Sequence, residues 1–262
     1  MPKQSKESTN FDSHADFLGF DSLEKRTQEG AKTTELEKRI QAKYDKEERY
    51  PWLSEETMRI KDIHSFLHCE ILDFVRWIEP TEAQKEERHL VVKRIKRVVK
   101  EIWPNAVVMV FGSVATGLNL PKSDIDLLVY HTDVRELKML DKLSTALFRS
   151  GYCKSIEALK HTKVPLIKMV DKHSNVNVDI SFNRTNGIYC VKLVKYLQKK
   201  YPELRPLILV LKAFLKSRSL NETYHGGVGS FLLTMLVTSY LQRQYKLSHA
   251  ARNGLLPQRS TD

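Results

Sequence analysis

Apolar residues along this chain follow two rhythms, and the change from one to the other outlines the fold. Ile60, Ile63, Leu67, Ile71, Phe74, Val75 and Ile78 recur at helical spacing behind Ser54, and the pattern stops at Pro80. It predicts a helix capped by Ser54. Thr81 opens a second helix, with Leu90, Val91, Ile95, Val98, Val99 and Ile102 on one face and Lys93, Arg94, Lys96, Arg97 and Lys100 on the other. The rhythm then shortens. Two β-branched runs, 107–111 and 126–130, are separated by Gly112 and by the breakers Pro121, Lys122 and Ser123, which predicts strand, glycine turn, second turn and strand. Leu137, Leu140, Leu143, Ala146 and Leu147 mark a helix ended by Gly151. Residues 164–170 and the alternating 175–181 read as two further strands. Helical spacing returns from Asn186 to about Lys200 and again from Pro206. The glycine-rich 225–230 is a flexible turn leading into a helix over 231–241. The rest, YKLSHAARNGLLPQRSTD, shows no apolar stripe. Residues 1–49 are polar with mixed charge and are expected to be disordered, apart from a transient helix over 33–44.

The strand mouths carry the chemistry. Asp124 and Asp126 are two apart at the start of a strand, a spacing that sends both carboxylates to one face roughly 6–7 Å apart. That suits a shared divalent ion, because magnesium takes oxygen ligands, keeps several waters and accepts substrate phosphates as the remainder of its shell. Gly112-Ser113 offers an uncrowded backbone beside a hydroxyl, able to donate N–H and O–H hydrogen bonds to phosphate oxygens. Asp179 lies on the polar face of the half-buried strand 175–181. A D-x-D pair by itself is commonly a solvated strand end or an Asx turn. The longer string, F-G-S followed by D-I-D, carries more.

Charge and cysteine usage narrow the setting. Lys and Arg number 43 against 32 Asp and Glu, a net charge of +11 that favours polyanionic partners. Cys69, Cys153 and Cys190 are scattered, as expected in a reducing compartment without a zinc site. No apolar run approaches the roughly 20 residues of a membrane span, and Met-Pro-Lys-Gln lacks the apolar core of a secretory signal, so no membrane contact is expected.

The G-S…D-x-D strand-turn-strand resembles the DNA-polymerase-β-like nucleotidyltransferase superfamily. YPWLS at 50–54, FGSVATGLNLPKSDIDLLV, VPLIKMVD at 164–171, NVDISFNRTNG at 177–187 and GGVGSF at 226–231 are similar to the eukaryotic poly(A) polymerases of the TRAMP nuclear RNA-surveillance type. The resemblance covers about 50–242. It implies an α+β fold: a nucleotidyltransferase domain over 96–182, with a mixed, mostly antiparallel sheet and helices on one face. An all-helical central domain would be assembled from 50–95 and 183–245, incomplete at its C-terminus, and 246–262 would be a divergent tail.

The same resemblance assigns roles. Asp124, Asp126 and Asp179 are the implied catalytic and metal-binding set for two Mg2+ or Mn2+ ions, with Asp179 taking the proton of the attacking hydroxyl. Gly112, Ser113, Gly187, Lys212, Lys216, Ser230 and Phe231 are the implied nucleotide contacts. Among them Lys212 and Ser230 meet phosphates, Lys216 assists, and Phe231 stacks on the base where relatives usually carry tyrosine. ATP is the implied substrate and RNA 3′ ends the acceptor. A nuclear location, a zinc-knuckle RNA-binding protein and an RNA helicase are the implied surroundings. Two alternatives remain open at this point: a terminal uridylyltransferase, since the metal site is indifferent to the base, and a truncated inactive form acting as a binding or regulatory protein.

Overall fold

The computed structural model describes residues 50–252; the expected disorder over 1–49 and the helix over 33–44 lie outside that range. Ser54 does cap a helix, accepting a hydrogen bond from the Thr57 N–H, but this α1 spans only Glu55–Met58. The single helix expected behind Ser54 divides because Asp62 supplies a second cap. Its carboxylate accepts from the Ser65 N–H at 2.8 Å and starts α2, Ile63–Ile78. The two are tied by the buried Asp73 of α2, which accepts from Ser54 N and Oγ and from Thr57 Oγ1 at 2.6–2.9 Å. Thr81 and Gln84 form a capping box at the head of α3, Glu82–Ile102, as the sequence predicts for Thr81.

Five strands follow: β1 Val107–Phe111, β2 Ile125–Tyr130, β3 Cys153–Leu159, β4 Leu166–Asp171 and β5 Asn177–Phe182. They form one sheet in the order β1-β2-β5-β4-β3. Only β2–β5 is parallel, so the sheet is mixed and mostly antiparallel. The edge strand β3 is absent from the sequence reading. Its CKSIEAL keeps Lys154, Ser155 and Glu157 facing water, as edge strands do, and polar edges carry little strand signal. Between β1 and β2, the expected glycine turn is instead the short helix α4, Gly112–Thr116, and α5 spans Glu136–Arg149. The stripes of α3 (Val91, Ile95, Val99) and α5 (Met139, Leu143, Leu147) pack against Leu127, Val129, Ile167 and Ile180 of the sheet in a common core.

The remaining helices are α6 Asn186–Lys200, α7 Leu204–Ser217 and α8 Ser230–Arg252, with a 3-10 turn at Thr223–His225. Val194, Leu197, Ile208, Leu233 and Val237 bring them together in a second core, which also holds Leu118 from the β1–β2 connection. A third cluster joins Val75 and Ile78 of α2 to Leu209 of α7 and encloses Leu120. The helix expected to end near Leu241 runs on to Arg252, because 242–252 contains no glycine or proline and is rich in good helix formers. Tyr245 anchors this extension, stacking edge-on to Tyr201 at 5.3 Å and hydrogen-bonding the Glu203 carboxylate at 3.0 Å. Among the described residues, no helix is long and apolar enough to cross a membrane.

Candidate active site

The parallel pairing of β2 with β5 sets Asp126 directly opposite Asp179. The row continues in register across the sheet, with Phe111 on one side of the pair and Lys168, then Glu157, on the other. Lys168 Nζ lies 3.6 Å from Asp179 Oδ2. Asp124 precedes β2 by one residue, is exposed, and accepts a hydrogen bond from Asn177 Nδ2 at 3.1 Å. Asn177 is two residues before Asp179 and shares its face. Three carboxylates are therefore gathered at the adjacent ends of two strands.

Their proximity is unfavourable without a cation. Burial, then the charges of Asp179 and Asp124, push Asp126 up to about 6, against the pull of Lys212 and Lys168. Asp179 is also raised, first by burial, with Lys168 opposing and Asp124 reinforcing. Among the described residues no three carboxylate, imidazole or thiolate groups close on an ion by themselves. The donors form an open set, which fits a hard divalent cation that completes its shell with water and phosphate oxygens. Gly112 keeps room beside this set. Its φ is +64°, and a Cβ there would stand 1.9 Å from Asp126 Oδ2.

The loop before Asp124 is held from beneath by Arg88 of α3. This buried guanidinium donates to the carbonyls of Pro121, Ser123 (3.1 Å) and Gln84 (3.2 Å), while Ser123 Oγ accepts from the Leu120 N–H at 2.9 Å. From the opposite wall, Lys212 donates to the Leu118 carbonyl at 2.7 Å and Lys216 to that of Lys122 at 3.4 Å. Burial and the neighbouring Lys216 lower Lys212 to about 8, partly offset by Asp126. Ser113, Asp124, Asp126, Lys212, Lys216 and Ser230 line one polar cleft of about 400 Å³.

An apolar recess of about 210 Å³ adjoins it, walled by Phe111, Gly187, Cys190, Val191 and Phe231. Ser113, Lys212 and Ser230 border both spaces. The combination is a charged trough opening onto an apolar slot, a shape suited to a triphosphate whose base lies between Phe231 and the start of α6. Gly187 is required by close packing, since a Cβ there would meet the Phe111 ring at 2.6 Å. Of the ten residues singled out from sequence, nine line the cleft or the recess, and the tenth, Asp179, stands beside them opposite Asp126. Asn177, Lys168 and Arg88 are additional. Asn177 and Lys168 become visible only through strand register, and Arg88 reads in sequence as one charge on a polar helix face.

Residues 67–199 match the family described as the central palm domain of mitochondrial-like poly(A) RNA polymerases. The chain belongs to this family. Within the poly(A) RNA polymerases, it is 38% identical to protein 2 of Saccharomyces cerevisiae over 195 residues, covering 73% of this chain and 33% of that one. It is 39% identical to an inactive non-canonical poly(A) RNA polymerase protein, Trf4-2, of Drosophila melanogaster, over 74% of this chain and 47% of the other. The polymerase core of TRAMP, an RNA surveillance complex, superposes with a TM-score of 0.66 at 37% identity, over 74% of this chain and 61% of that one. The chain spans about a third of the length of the curated yeast polymerase it matches. The α+β nucleotidyltransferase fold expected from the motifs is the fold observed, and the expected family is the family found.

Proposed function

We propose that this chain carries the catalytic part of an RNA 3′-end adenylyltransferase, moving AMP from ATP onto the terminal hydroxyl with release of pyrophosphate. The observation that carries the reading is the register of β2 against β5, which gathers Asp124, Asp126 and Asp179 beside the Gly112-Ser113 turn. Asp124 and Asp126 would hold two divalent ions, and Asp179 the ion on the hydroxyl side. When bound, these ions supply charge neutralisation and a more acidic 3′-hydroxyl. The chain does the rest by positioning. The Ser113 hydroxyl and backbone, Ser230 and the ammonium groups of Lys212 and Lys216 hold the triphosphate in the trough, while Phe231 and the Gly187 end of α6 hold the base. Asp179 takes the proton as the hydroxyl oxygen bonds to the α-phosphorus and the bond to the pyrophosphate oxygen breaks.

The setting we propose is nuclear RNA surveillance, with a zinc-knuckle RNA-binding protein and an RNA helicase as partners. Its support is the 37% identity to the polymerase core of a surveillance complex. A relative named inactive shares 39% identity, so the carboxylates, rather than family membership, support activity here.

The test is extension of a short labelled RNA by the purified chain with Mg2+ or Mn2+, offering ATP, UTP, CTP and GTP separately. Tailing chiefly with ATP is expected, together with its loss in Asp124→Ala at a melting temperature no lower than the parent's. Undiminished tailing by the folded Asp124→Ala protein would overturn the assignment.

A further inference from the structure

The outward face of α6 does not have the composition of an ordinary solvated helix. Tyr189, Lys192, Leu193, Tyr196, Lys199 and Lys200 recur at helical spacing and are all exposed, Tyr189 and Tyr196 at 65% and 59%. The opposite face is committed elsewhere: Cys190 and Val191 wall the apolar recess, and Val194 and Leu197 enter the helical core. A solvated face of this length normally alternates acidic and basic residues four apart. In NGIYCVKLVKYLQKK there are four lysines and no acidic residue. On this helix two largely exposed aromatic rings are therefore interleaved with positive charges alone, and the Lys192 ammonium lies 5.8 Å from the centre of the Tyr189 ring.

We propose that this face of α6 binds single-stranded RNA outside the catalytic cleft, with bases stacked on Tyr189 and Tyr196 and phosphates met by Lys192 and Lys199. Aromatic rings interleaved with cations make a sequence-tolerant platform for single strands. Protein-binding surfaces, by contrast, are depleted in lysine at their centres. The two tyrosines are seven residues apart, two turns on one face, about 10 Å along the axis. The platform begins two residues beyond Gly187, so RNA held there is kept next to the nucleotide recess. The inference rests on the proposed function only in taking RNA as the polymer handled.

Binding of a labelled single-stranded oligoribonucleotide to the full chain, followed by fluorescence anisotropy in EDTA without nucleotide, tests it separately from catalysis. Tyr189→Ala with Tyr196→Ala is expected to weaken binding at least about five-fold. Lys192→Gln with Lys199→Gln should lower the slope of log affinity against log salt by about 1.4. Both variants should melt with the parent, because the replaced side chains are exposed. Unchanged affinity and slope in folded variants would overturn the proposal and leave the face to a protein partner, as would a parent chain that binds no RNA. Loss of RNA binding on α6 substitution in a chain that adds no nucleotide would sustain the proposal while the proposed function fails.

Discussion

Asp126 shows how one residue can be costly to the fold and necessary to the site. Its folded pKa of about 6 lies above the ordinary 3.8. Between those values the folded chain holds more protons than the unfolded one, so stability attributable to this group falls as pH rises through the window and stays low above it. Asp179, raised as well, acts in the same sense. In EDTA the chain should therefore melt higher at about pH 5 than at about pH 7.5. Asp126→Asn should flatten that difference and raise the melting temperature at the higher pH by about 2–4 °C per kcal/mol of relieved repulsion, while abolishing nucleotide addition. Mn2+ should stabilise the parent at the higher pH but not the variant. A parent melting curve indifferent to pH across this range would contradict the repulsion.

At the scale of elements, the site depends on supports that carry no chemistry. The Pro121–Ser123 turn that delivers Asp124 hangs on the Arg88 guanidinium of α3. Arg88→Met should keep the apolar contact of the stem but leave those carbonyls unpaired, a loss of about 1–3 kcal/mol. We expect a weaker apparent affinity for the divalent ion, measured by titrating Mn2+ in the addition assay, with ATP affinity less altered. Equal affinity for Mn2+ in parent and variant would remove Arg88 from the site. A second support fixes α3 to β4, the strand next to the far edge of the sheet. Asp171 is buried and accepts two hydrogen bonds from Arg94 at 2.8 Å and others from Ser174, which hold its pKa low despite burial. Asp171→Ala leaves a guanidinium unpaired and should destabilise the chain by about 3–5 kcal/mol in denaturant titration. A loss below 1 kcal/mol, well under that range, would show the pair to be dispensable.

Across the whole molecule, sequence reading succeeds where the signal is local and fails where pairing decides. Val107–Phe111, the α5 stripe and the α6 start at Asn186 are legible because each has one clear period. So is the group Gly112, Ser113, Asp124 and Asp126, whose members are close along the chain. Asp179 needs the resemblance to join them, since its contact with Asp126 exists only through a parallel strand pair 53 residues apart. The polar edge strand β3, the second cap at Asp62 and the continuation of α8 are also missed. β3 is fixed by its pairing with β4, whereas the Asp62 cap and the α8 extension are set by single local features, a side-chain cap and helix propensity, that leave no apolar period to read.

The β1–β2 connection ties the sheet to two helical clusters. It leaves the sheet at Phe111, passes Leu118 into one helical core and Leu120 into another, and returns at Ile125. Leu118→Ala should cost about 2–5 kcal/mol and also weaken apparent ATP affinity, because the cavity lies behind the carbonyl that Lys212 grips. A stability loss without any change in ATP affinity would uncouple the two. The ends of the connection are fixed with the carboxylates, and its middle is fixed to the lysine wall. A single loop thus keys three frameworks together: the carbonyls gripped by Lys212 and Lys216 and the carboxylates of Asp124 and Asp126 hang on one length of chain, so a fault in its packing is felt at the cleft.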